Sequence, residues 1–145
     1  MAYFDRANTR LKLVELINSA NDFDFKVNND QDEVDFHGSD KSGIPEHTYE
    51  KIIQDYNKVI DLDAGFYYAY FNRGYLKAKA GNYWGAVSDL TKAIELDPKF
   101  GEAYYNKGLI LLLLKVNNVA CNDMSKAGEL GIKEAFNVIK RYCVK

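Results

Sequence analysis

Few residues in this chain have the types and spacing to do chemistry. In 145 residues there are two histidines and two cysteines. His37 and His47 lie in or beside a run of carboxylates, and with a nearby aspartate they could ligate a metal. Solvated loop histidines are the more common meaning of such a pair. Asn28, Asp30 and Asp32 give the alternating oxygens of a calcium loop, but Glu33 stands where the glycine belongs and Ser39 where the bidentate glutamate belongs. Cys121 and Cys143 leave two readings open, a disulfide if their β-carbons come within about 4.5 Å, or two separate buried thiols. Neither has a His or Asn partner that would make it a nucleophile. No HExxH, CxxC, GxSxG or phosphate-loop spacing occurs. The expectation is a chain that is not an enzyme and holds no cofactor or metal.

Composition narrows the remaining classes. Apolar residues make up 47% and charged residues 28%, the balance of a soluble globular chain. The net charge of −2 gives no field for nucleic acid or an anionic membrane. The longest apolar run is the six residues Leu109 to Leu114, and a membrane span needs about 20. The start, MAYFDRANTR, has no apolar core of a secretory signal. The expected location is cytoplasmic, with export still open if a leader lies outside this sequence. Aromatic residues reach 14%, including 11 Tyr and 8 Phe, so some rings are expected on a surface or in a groove.

The elements that would position those rings follow from an internal period. Shifted by 34 residues, Ala69-Tyr70-Phe71-Asn72-Arg73-Gly74 falls on Ala103-Tyr104-Tyr105-Asn106-Lys107-Gly108. Asp55, Lys58 and Leu62 fall on Asp89, Lys92 and Leu96, and again on Asp123, Lys126 and Leu130. Each copy reads as two helices. In the second copy, Gly81-Asn82 breaks the helical pattern, a second helix runs from about Tyr83 to Leu96, and Asp97-Pro98 ends it. Gly74, Ala86 and Ala93 sit where helices must approach closely, and a larger side chain would cost roughly 1–3 kcal/mol each.

The residues Tyr70, Gly74, Tyr83, Ala86, Leu90, Ala93 and Pro98, with Tyr104, Gly108, Leu111, Ala120, Met124 and Ala127 in the next copy, resemble the tetratricopeptide repeat (TPR) family. Lys77 departs from the pattern at a usually aromatic place, and Ile132 replaces the third proline. The resemblance implies an all-α TPR superhelix of three helix-turn-helix repeats and a C-terminal capping helix, in a single domain over 1–145. Repeat one would occupy 1–66, repeat two 67–100, repeat three 101–131 and the cap 132–145. The cap stripe is Ala135, Phe136, Ile139 and Tyr142. The stretch from Lys126 to Cys143 is similar to the closing segment of many bacterial TPR proteins.

Repeat one is split. Its second helix opens at Pro45-Glu46 and runs to Leu62, while its first helix reappears at Ala2 to about Ala20. Between Leu13 and Tyr49 lie 35 residues where an ordinary repeat has about two. The insertion, about 21–44, is acidic. Residues 21–47 hold eight carboxylates against two lysines, a charge of −6, so the rest of the chain carries +4. Alternation in Phe23-Asp24-Phe25-Lys26-Val27 and Val34-Asp35-Phe36 suggests a β-hairpin docked by its aromatic face, and a disordered acidic loop is the alternative.

The family resemblance also implies a concave groove lined by the first helix of each repeat. Its expected lining is Phe4, Asp5, Asn8, Leu11 and Lys12, then Tyr68, Phe71, Asn72, Tyr75 and Lys79, then Glu102, Tyr105, Asn106, Leu109, Leu112 and Leu113. Asn side chains would hydrogen-bond a peptide backbone and the rings would supply contact area. TPR domains that grip a chaperone's C-terminal carboxylate use two Asn and three basic residues. Asn8 and Asn72 match, but Phe4, Glu102 and Asn106 hold the basic places, so this subtype is not expected. The run from Leu109 to Leu114 is apolar all round, so Leu109, Leu112 and Leu113 need a cover. The candidate covers are another protein or peptide, a second copy of the chain in an assembly role, or the insertion itself. The expected function is a non-enzymatic interaction module that binds a peptide or helix in this groove.

Overall fold

The computed structural model describes residues 46–144. The segments expected to form the first helix, the insertion's hairpin and the calcium loop, with His37 and the groove candidates Phe4, Asp5, Asn8, Leu11 and Lys12, lie outside the described residues. Five long helices follow in order: α1 (Glu46–Leu62), α2 (Tyr67–Lys79), α3 (Tyr83–Leu96), α4 (Gly101–Leu113) and α5 (Asn117–Glu129). A short α6 (Glu134–Val138) continues into a π-helical turn, Ile139–Cys143.

The helices form hairpins because their turns share one chemistry. At the end of α2, the Gly81 amide donates to Ala78 O and the Asn82 amide to Lys77 O. The same pair of bonds recurs after α4, from Lys115 to Leu112 and Val116 to Leu111, and after α5, from Gly131 to Gly128 and Ile132 to Ala127. This is the Schellman arrangement, which satisfies the last carbonyls of a helix and requires a left-handed residue at its apex. Gly81 and Gly131 supply it with φ of 83° and 101°. Lys115 adopts φ of 63° at the equivalent place, a strained choice for a residue with a side chain.

Tyrosines fasten the interrepeat loops. The Tyr70 hydroxyl donates to Ala64 O at 3.1 Å, and 34 residues later Tyr104 donates to Pro98 O at 3.1 Å. Small residues set the spacing between helices. Ala69, Ala86, Ala93, Ala103, Ala120, Ala127 and Ala135 have no exposed surface. A Cβ on Gly74 would meet Ala86 O at 3.2 Å and Asp89 Cβ at 3.1 Å, and one on Gly108 would meet Ala120 O at 3.2 Å. The backbones therefore pack too closely for any other residue to enter without displacement.

The core runs the length of the stack in three connected groups. The first joins α1 to α2 through Ile52, Tyr56, Val59 and Leu76. The second centres on Leu90, Ala93 and Phe100, and the third on Leu111, Leu112, Met124 and Val138. α3 packs on both α2 and α4, α5 packs on α4 and α6, and α2 also touches α4 directly. Thus α2 and α4 share one layer, backed by α3 and α5.

Candidate functional site

α2, α4 and α6 begin in a common register. Ala69, Ala103 and Ala135 each donate their amide to the carbonyl three residues back, on Phe66, Phe100 and Ile132, at 3.0, 3.1 and 3.1 Å. In that register Tyr68, Glu102 and Glu134 are equivalent, and all three are exposed. The next equivalent set is Phe71, Tyr105 and Asn137, of which the first two are half-buried.

The rings gather around Phe100, which is itself buried. Tyr67 and Tyr68 stack at 4.4 Å between centroids, and each meets Phe100 edge-on at 5.4 Å. Phe71 lies 4.6 Å from Phe100. These offset and edge contacts suit the charge distribution of aromatic rings. They fix Tyr68 in place although it stays 44% exposed. The Tyr67 hydroxyl, hydrogen-bonded with Tyr68, is pushed up to about 12, so it stays a neutral phenol. Further along α2, the Lys79 ammonium sits 5.4 Å from the Tyr75 ring centre.

Of the expected lining, Tyr68, Phe71, Asn72, Tyr75, Lys79, Glu102, Tyr105, Asn106, Leu109 and Leu113 keep some exposed surface. Leu112 does not. It is 4% exposed and packs with Met124, Ala135 and Val138. The cap helix covers it, so one leucine assigned to the groove is a core residue. Leu114, which ends the same apolar run, is only partly buried. Tyr105 packs beside the cap, and burial first, then the charge of Glu134, pushes its hydroxyl up.

The sequence reading had not singled out Tyr67 and Phe100, though the period places Phe66 and Phe100 at one phase. It also missed the ionic role of the recurring aspartates. Asp89 is 4% exposed and is gripped by Arg73 through Nε at 2.8 Å and Nη2 at 2.6 Å, with Lys77 Nζ at 3.0 Å. This accounts for the lysine at a usually aromatic place. The hydrogen bonds to Asp89 push Arg73 further up, against the opposing effect of burial. In the next repeat Lys107 replaces Arg73 and Leu111 replaces Lys77. Among the described residues Asp123 then has only Lys107 Nζ, 3.4 Å from Oδ2, an ion-pair approach that does not meet hydrogen-bond geometry. Burial accordingly pushes the Asp123 carboxyl up, and Lys107 only partly offsets it.

The two cysteines form a disulfide with their Cα atoms 5.7 Å apart, so the reading as separate thiols does not hold. Among the described residues, no three His, Cys, Asp or Glu side chains gather as a metal site, and no helix is long and apolar enough to cross a membrane.

Comparison with known proteins agrees with this geometry. Two tetratricopeptide repeat models match residues 67–100 and 90–130. Residues 67–130 are tetratricopeptide repeat sequence. The second TPR domain of human RPAP3, solved in complex with the HSP70 peptide SGPTIEEVD, superposes on the chain with a TM-score of 0.62. That match has 28% identity and covers 69% of this chain and 85% of that one. The first TPR of Spaghetti (RPAP3), bound to the HSP90 peptide SRMEEVD, gives a TM-score of 0.63 at 24% identity, over 68% of this chain and 79% of that one. The second TPR of Spaghetti, with the same HSP90 peptide, gives 0.56 at 29% identity, over 59% and 79%. No curated protein matches the sequence.

Proposed function

We propose that this TPR chain is a non-enzymatic interaction module that binds a peptide or helix from another protein across the face of α2 and α4. The observation that carries the reading is the ring cluster of Tyr67, Tyr68 and Phe71 on Phe100, which holds exposed aromatic surface rigid on the layer shared by those helices. Rigid aromatic anchors lose little entropy on binding and dominate interface energetics. The TPR domains of RPAP3 that resemble the chain were solved with peptides bound, which supports the same use of the fold.

The partner differs from theirs. Those peptides end in EEVD. Here Glu102 and Asn106 stand where a carboxylate-gripping domain has basic residues, and Glu134 adds a second exposed carboxylate in register. An acidic tail would meet like charge, which disfavours it. The bound segment is therefore apolar or aromatic and free of an acidic end.

Selection of displayed peptides against the full chain tests this reading. The enriched peptides are expected to lose at least tenfold affinity for a Tyr68→Ala, Tyr105→Ala double variant, and SRMEEVD is expected not to bind. Peptides that bind the variant and the parent equally would refute the site. Tight binding of SRMEEVD would refute the charge argument.

A further inference from the structure

The disulfide joins α5 to the last turn of the chain, and its surroundings show what it restrains. α6 has five residues, no side-chain cap at its start, and buries only Ala135 and Val138. It passes into a five-residue π-helical turn with no buried residue. A helix this short is unstable alone, and π-helical hydrogen bonding is rarely favourable. Yet this segment covers Leu111, Leu112, Ala120, Met124 and Ala127 at the end of the stack, and Tyr105 packs against it. Cys143 anchors it at its far end, 22 residues from Cys121 in sequence. Both cysteines are partly exposed, so a reductant can reach the bond.

We infer that the Cys121–Cys143 bond is a redox-controlled clasp: oxidised, it holds the cap on the third repeat, and reduced, it lets residues 134–143 open while the rest of the stack stays folded. The reductant is a dithiol. One of its thiolates attacks a sulfur of the bond and forms a mixed disulfide, releasing the other cysteine as a thiolate. Its second thiol then displaces the remaining cysteine. The reductant leaves as a disulfide, and the chain has gained two electrons and two protons as two thiols. Opening the cap bares Leu111, Leu112 and Met124 and removes the wall beside Tyr105. The closed form belongs to an oxidising setting and the open form to a reducing one.

Amide hydrogen exchange of the full chain, with and without dithiothreitol, tests the clasp. Alkylation under denaturing conditions counts the thiols in each sample. The untreated chain is expected to show none and the reduced chain two. Reduction is expected to speed exchange in 134–143 on the order of 100-fold, the effect of releasing a loop of this length. Exchange in α2 and α3 should not change. A Cys143→Ser variant should show the fast cap without reductant. Two free thiols in the chain prepared without reductant would overturn the inference. So would unchanged exchange in 134–143, or faster exchange everywhere, which would make the bond a staple of the whole fold.

Discussion

The equivalent aspartates 34 residues apart give the sharpest energetic test. Asp89 is held by three contacts of 3.0 Å or less from Arg73 and Lys77, whereas Asp123 has one ion-pair approach of 3.4 Å. Asp89→Asn keeps the shape but turns an NH2 group toward two cations. Breaking a fully buried pair costs about 3–5 kcal/mol. The Arg73 and Lys77 side chains remain 17% and 23% exposed and can recover some hydration, so the expected cost is about 2–3 kcal/mol. Asp123→Asn removes a charge that burial already disfavours and gives up a weak attraction. Its expected effect lies within about 0.5 kcal/mol of zero. Urea unfolding of the two variants reads the difference directly. With a slope of about 1.5 kcal/mol/M, Asp89→Asn should lower the midpoint by about 1.5 M and Asp123→Asn should hardly move it. Equal losses would refute the argument that partner geometry, rather than position in the repeat, sets the worth of these carboxylates.

Other consequences are separable. The Asp123 carboxyl is raised in the folded state, so its contribution to stability is full below the ordinary carboxylate value of about 4 and is lost as pH rises through the raised one. Asp123→Asn should therefore gain on the parent between pH 4 and pH 7 in urea midpoints, and a constant difference would contradict the burial of that charge. Lys115→Gly relieves a left-handed residue and should stabilise by about 0.5–1 kcal/mol in thermal unfolding; a loss would show the turn is unstrained. Gly74→Val should destabilise by about 1–3 kcal/mol, because Ala86 O and Asp89 Cβ already lie 3.2 and 3.1 Å from where its Cβ would sit. Glu102→Lys should leave stability within about 0.5 kcal/mol of the parent and raise affinity for SRMEEVD by titration; no gain would remove Glu102 from the binding face.

The repeat was readable because packing imposes it. Gly74, Gly108 and the buried alanines are small at fixed spacing since each backbone contact admits nothing else, and that constraint is written in the residues themselves. What escaped depends on neighbours remote in the chain. Lys77 looks like a departure until Asp89 arrives from the next helix. Leu112 looks like groove lining until the cap closes over it. Lys115 gives no sign of its left-handed backbone, because the turn geometry overrides the preference of its side chain. The cysteine pair remained undecided because bonding depends on how the last turn docks, and Phe100 drew no notice because its partners Tyr67 and Phe71 lie in the preceding repeat.

The covalent link stands two residues from the poorly satisfied Asp123, on the same helix. The end of the stack with the weaker ionic lock thus has a chemical one. Tension applied at the C-terminus would pass from Cys143 straight to α5, bypassing the π-helical turn and α6. A pull on the tail would therefore be felt first by the packing of α5 on α4, so the oxidised chain would yield as a whole repeat and the reduced chain as a fraying tip.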